Sequence, residues 1–176
     1  MDDPVPFGGR DYFLLLAILG FGRAMDFLST WIATPNLVLE GNPIAKALGW
    51  KFGIPINVVL CFVFALWPLP AIIITTTSLL VAARNLQSAW LMRSLGEETY
   101  RTWMVERIRE VPPTLYLFCL LGQNVLVAAV GLVLIGFSEW ALIPFGVCTG
   151  MVAYALAVVV FSLIAIWRIR RAYRQD

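Results

Sequence analysis

Arg23 and Asp26 stand inside an otherwise apolar run, eleven and fourteen positions beyond Tyr12. Helical residues advance about 100° each, so Arg23, Asp26 and Thr30 fall within an arc of roughly 60°. A cation, an anion and a hydroxyl on one stripe of an apolar helix can do two kinds of work. The charges can bond one another at i, i+3 and neutralise themselves. Alternatively the stripe can serve a proton, an ion or a lipid headgroup, the common use of charges in membrane segments. Arg and Asp near the centre of a span each oppose insertion by about 2.5–3.5 kcal/mol, whereas each Leu, Ile or Phe favours it by roughly 0.3–0.6 kcal/mol. The segment holds ten of the latter, and the two sums nearly cancel. The stripe is therefore expected to lean on neighbouring helices rather than on lipid.

Two further groups carry polar chemistry. In "EGNP", Asn42 is a favoured N-cap and Pro43 a favoured first helical residue, so a short helix is predicted through "PIAKALGW" to near Gly53. Its positive end would face Glu40. The oxygens of Asp26, Thr30, Glu40 and Asn42, joined by Asn57, could converge near the outer membrane face and hold a cation. Gln123 and Asn124 lie at a depth in their own segment close to that of Arg23, where their amides could bridge two helices by ordinary interhelical hydrogen bonds. Thr75, Thr76 and Thr77 are expected to bond their own backbone.

The pattern D-x-x-x-T followed about ten residues later by E-x-N-P, here Asp26, Thr30, Glu40, Asn42 and Pro43, resembles that of a family of small, uncharacterised bacterial membrane proteins. The resemblance covers roughly residues 20–50. Members of that family usually carry a polar residue, often Asn, one turn before the aspartate, where this chain has Arg23. The resemblance implies a shared fold and hairpin geometry and brings no activity with it.

The elements that must position these residues follow from composition. Of 176 residues, 60% are hydrophobic and 14% charged, and the mean hydropathy is +0.82. Soluble domains have about a quarter of their residues charged, so the chain reads as a membrane protein with the bilayer as its first partner. The net charge of +2 gives no reason to expect nucleic acid. The absence of histidine removes His-ligated metals, imidazole-ligated haem and His-based triads, and no cofactor is expected. Cys61, Cys119 and Cys148 fall in apolar stretches without C-x-x-C spacing and read as buried small hydrophobes. Asp2, Asp3 and Asp11 against Arg10 make no basic leader, so the first apolar segment is expected to remain as a span.

A bilayer core needs about 20 apolar helical residues per crossing. Four spans are predicted in a single integral membrane domain over 1–176, at about 12–33, 54–83, 114–138 and 140–167. The second carries "WPLP", where Pro68 and Pro70 predict a kink. Between the second and third spans, residues 94–111 place Tyr100, Trp103, Met104, Ile108 and Val111 on one stripe. That pattern suits an amphipathic helix in the headgroup region, and Ser94 with Glu97 fits a capping box. The fold class is all-α: a four-transmembrane-helix bundle with a cytoplasmic amphipathic interfacial helix and a short capped helix in the outer loop. Four crossings put both termini on one side. That side carries Arg10, the arginines at 84, 93, 101, 107 and 109, and those at 168, 170, 171 and 174, against Lys46 and Lys51 opposite. Both termini are accordingly expected in the cytoplasm of a bacterial inner membrane.

Three functions fit this reading. The first is binding and assembly, as a homo-oligomer or an accessory subunit of a larger membrane complex, with Gly131, Gly136, Gly146 and Gly150 permitting close helix approach. The second is an oligomeric ion or small-solute transporter or channel subunit using Arg23 and Asp26. The third is an intramembrane enzyme with Asp26 and Glu40 as acid and base. For that one the sequence offers no nucleophile–base pair, metal cluster or phosphate-cradling loop.

Overall fold

The computed structural model describes residues 3–172. Asp2 and Arg174, both counted in the charge reading, lie outside the described residues, as do the ends of the domain expected over 1–176. The described residues form six helices and no strand: α1 (Arg10–Ala33), α2 (Pro43–Phe64), α3 (Pro68–Leu95), α4 (Glu97–Glu110), α5 (Pro113–Gly136) and α6 (Leu142–Ala172). All except α4 are long and apolar enough to cross a membrane. The all-α class holds, with five candidate spans where four were expected.

The extra helix comes from residues 54–83, which form no single span. Ala65–Trp67 reverse the chain completely between α2 and α3. Pro68 and Pro70 lack the N–H groups that would have donated to the carbonyls of Phe64 and Leu66, and each ring crowds the turn before it. Trp67, ahead of Pro68, takes an extended conformation with φ −119° and ψ 117°. The predicted kink is thus a full turn. The first half of the run joins the capped helix after Asn42 to make α2. That cap forms as expected, with the Asn42 side chain accepting from the backbone N–H of Ile44 at 2.9 Å and of Ala45 at 3.4 Å. The helix does not end near Gly53. It breaks at Gly49, whose φ of 60° and ψ of −171° suit glycine, then continues through Pro55.

Contacts fix the direction of each helix. Tyr12 Oη donates to the carbonyl of Phe62 (3.1 Å), and Arg23 lies against Asn57, so α2 runs antiparallel to α1. Gly22 packs on Thr75, and Asn85 reaches Ser29 and Thr30, so α3 runs parallel to α1. A Cβ on Gly22 would stand 3.2 Å from the Thr75 Cα, and the missing methyl lets the two backbones approach. Gly146 meets Ile72 and Leu69, and Gly150 meets Thr76 and Ile73, so α6 is parallel to α3. Gly131 of α5 faces Cys148 and Met151 of α6, which makes that pair the expected hairpin. Its turn is closed by Ser138, whose Oγ accepts from Trp140 N, with Glu139 and Trp140 at positive φ.

The start of α1 and the end of α6 therefore lie at opposite ends of the bundle, not at one end. Loop 34–42, α4 and the end of α6 share what is here termed the α4 end. Gly96, at φ 80°, is the N-cap of α4, and no side chain caps the helix start. The predicted capping box is not made: Ser94 Oγ donates to the carbonyl of Leu91, and Glu97 accepts from the backbone N–H of Asn36 at 2.9 Å. Tyr100 and Ile108 of the predicted stripe are buried.

A packed apolar core of Tyr12, Leu15, Leu19, Cys61, Ala65 and Ala71 fills the opposite end. Outward surfaces are apolar to a degree water does not tolerate. Phe118 is 76% and Leu126 71% exposed on α5. Cys61 and Cys148 are buried as expected, whereas Cys119 faces outward.

Candidate functional site: a polar cavity toward the α4 end

Between α1, α2, α3 and α6 lies a cavity of about 480 Å³, roofed by loop 34–42 and the first turns of α2. Arg23, Asp26, Thr30, Glu40, Asn42 and Asn57 all line it. The sequence places these six on three segments, and the hairpin of α1 and α2 brings them together.

Arg23 is the hub. Its Nη1 donates to Asp26 Oδ2 at 2.7 Å and to Ser78 Oγ at 3.0 Å, and its Nε donates to Asn57 Oδ1 at 3.0 Å. The guanidinium carbon also sits 5.4 Å from the centre of the Phe27 ring. Asn57 is held in place by its own Nδ2, which donates to the carbonyl of Gly53 (2.8 Å). The intramembrane charges are thus neutralised locally and shared among three helices, as expected of a stripe that avoids lipid. Thr30 Oγ1 and Ser29 Oγ accept from Asn85 Nδ2, at 3.1 and 3.2 Å, along the same α1–α3 seam.

The roof is built from local bonds. Glu40 Oε1 accepts from the backbone N–H of Asn42 at 2.7 Å, the electrostatic match expected at this helix start. Thr34 Oγ1 accepts from Leu39 N, and Leu37 between them adopts φ 56°. Trp50 Nε1 donates to the carbonyl of Pro35 at 2.7 Å, while its ring lies 6.0 Å from that of Phe27. Burial pushes the Glu40 carboxyl above its ordinary range; the Asn42 N–H opposes that shift, and nearby Asp26 adds to it.

Two predicted site residues lie elsewhere. Gln123 is exposed on α5, and Asn124 is buried with its amide donating to the carbonyl of Leu120 in its own helix (2.7 Å). Helix α5 packs along α6, and α1 packs chiefly along α3. The depth match that suggested contact assumed four spans, with α1 and α5 running the same way. The fifth helix reverses one of them. The threonines also depart from expectation: Thr77 Oγ1 donates to the carbonyl of Gly150 in α6, and Thr75 Oγ1 is buried without a partner.

The cavity gains residues that sequence reading missed, chiefly Arg84, Asn85 and Thr77 of α3 and Ser162 of α6. Arg84 reads as the charge that ends a span, yet α3 continues to Leu95. A signal was present in the spacing: Thr77 with Arg84, and Ser78 with Asn85, recur at seven residues and share one helical face. Arg84 Nη1 is buried and has no hydrogen-bond partner. Among the described residues no group of three or more His, Cys, Asp or Glu is placed to hold a metal ion. A cation at Asp26 would compete with the Arg23 guanidinium, which holds Oδ2.

No family model, curated protein or solved structure matches the chain.

Proposed function

We propose that the chain is a polytopic membrane protein, of the kind suggested by the D-x-x-x-T and E-x-N-P pattern, that binds a small polar solute in this cavity. One observation carries the reading: six polar residues from α1, the following loop and α2 meet Arg84 and Asn85 of α3 around one space. Its volume of about 480 Å³ lies in the range of small-molecule sites. The packed core around Tyr12 and Ala71 fills the other end, which favours a one-ended binding site over a continuous pore. Of the four glycines that suggested assembly, Gly131, Gly146 and Gly150 serve packing within the chain, and Gly136 stays open. Lipid accounts for the apolar outer faces.

Orientation follows from charge. Arg93, Arg101, Arg107, Arg109, Arg168, Arg170 and Arg171 gather at the α4 end, while Arg10 stands at the other. The positive-inside rule then puts the α4 end, loop 34–42 and the cavity mouth in the cytoplasm and the start of α1 outside.

The test is water access. A chain lacking its own cysteines but carrying Thr30→Cys is treated, in inside-out vesicles, with a charged thiol reagent. Thr30→Cys is expected to react, Leu126→Cys on the lipid face to stay silent, and Val158→Trp, which fills the cavity, to protect Thr30→Cys. A silent Thr30→Cys overturns the reading.

A further inference from the structure

Two guanidinium groups line the cavity and only one is neutralised. Arg23 has a carboxylate, an amide oxygen and a hydroxyl as acceptors. Arg84 lines the same space, is itself half-buried, and has one nitrogen, Nη1, that is buried with no acceptor from the chain. A guanidinium keeps its charge inside a protein, and a buried charge without a counter-ion is costly. Of the two acids of the cavity, Asp26 pairs with Arg23, and Glu40 accepts from the Asn42 N–H and makes no ion pair with Arg84. Arg84 is thus left to take its acceptor from a bound molecule.

The surroundings narrow the class. Val81, Met92, Val158 and Phe161 give the cavity apolar lining, and Thr77 and Ser162 add hydroxyls to it. A bare inorganic anion would leave most of 480 Å³ empty and its apolar lining unused. Resting on the solute-binding reading above, we propose that Arg84 is the anion-binding residue of this cavity and that its ligand is a small organic oxyanion, a carboxylate or phosphate carried on an apolar body. A planar guanidinium matches either group through paired N–H donors. A water-soluble organic acid and the phosphate of an anionic lipid present the same chemistry.

The full chain, purified in nonionic detergent, is examined by equilibrium dialysis with benzoate, phenyl phosphate and the neutral isostere benzamide. In parallel, phosphatidylglycerol retained through delipidation is counted by native mass spectrometry. Wild type is expected to bind at least one of the two soluble anions, or to retain the lipid. Arg84→Gln is expected to weaken that binding about tenfold or more, as loss of a charge-assisted contact implies, and Arg84→Lys to regain part of it. Benzamide binding should change far less than anion binding with Arg84→Gln. Should Arg84→Gln fail to fold, Arg84→Lys gives the same comparison, with a partial loss for the anions and a smaller one for benzamide. Retention of phosphatidylglycerol that excludes benzoate identifies the lipid as the source, and benzoate or phenyl phosphate binding without lipid identifies the soluble acid. If Arg84→Gln or Arg84→Lys binds the anions as well as wild type, or Val158→Trp abolishes benzamide binding while no anion binds, Arg84 is not the anion site and the solute cavity stands. If no probe binds and no lipid is retained, Arg84 is not the anion site, and the cavity reading falls with it only if Thr30→Cys is also silent to the thiol reagent.

Discussion

A membrane helix can keep an arginine and an aspartate when other helices supply the rest of their hydrogen bonds. Arg23 does this with Asp26 on its own helix, Asn57 on α2 and Ser78 on α3. Removing one partner strands the other charge, so Asp26→Leu is expected to destabilise the fold by about 1–3 kcal/mol. The double replacement Arg23→Met, Asp26→Leu should recover part of that loss in equilibrium unfolding in mixed micelles. No loss in the single variant would mean that water already solvates the pair. Glu40 gives a pH test. Burial raises its pKa above the ordinary 4.5, so the folded chain holds this proton more tightly than the unfolded chain. Its contribution to stability is full below about pH 4.5 and is lost as pH rises through the folded value. Glu40→Gln should flatten the fall in melting temperature over that window, whereas an unchanged profile would show a hydrated carboxyl.

Helix packing decides which small residues matter. A methyl on Gly150 would stand 2.7 Å from Thr76 Cβ and 3.0 Å from the Ile73 carbonyl oxygen, atoms that cannot swing aside. Gly150→Ala is expected to cost about 1–3 kcal/mol, as overpacking does. Gly122→Ala on α5, where nothing lies within 4 Å, should change stability by less than about 1 kcal/mol and in the favourable direction. Thermal unfolding of both variants checks the α3–α6 contact, and equal behaviour would remove it. The G-x-x-x-G spacing was legible in the chain, but its partner was not. The pattern says that a helix comes close without saying whose. The same holds for "WPLP": two lost N–H donors guarantee a break, while the angle depends on what the freed helix can pack against. Here the Leu66 carbonyl accepts from Val5 N at 2.9 Å and Tyr12 packs beside the turn, which favours full reversal.

Five helices are long and apolar enough to cross a membrane, and five crossings would put the termini on opposite faces. Reporter fusions should therefore place the C-terminus in the cytoplasm and the N-terminus on the other face. Both signals on one side would restore four crossings. The arginine count assumed an even number of crossings and so grouped Arg10 with arginines that lie at the far end of the bundle. Correcting one helix reversal moves loop 34–42, Glu40 and Asn42 from the outer face to the arginine-rich end.

Helix content, the Asn42 cap, the α5–α6 hairpin and the polar stripe of α1 were fixed by the sequence alone, because each depends on residues within a few positions of one another. Asn57 joined Arg23, Asp26 and Glu40 for a related reason: adjacent helices in a hairpin meet. Arg84 and Asn85 entered the site, and Gln123 and Asn124 left it, only through tertiary structure. Which helices touch depends on the number and direction of the crossings, and a change of one alters every long-range pairing while leaving the local pattern as it was.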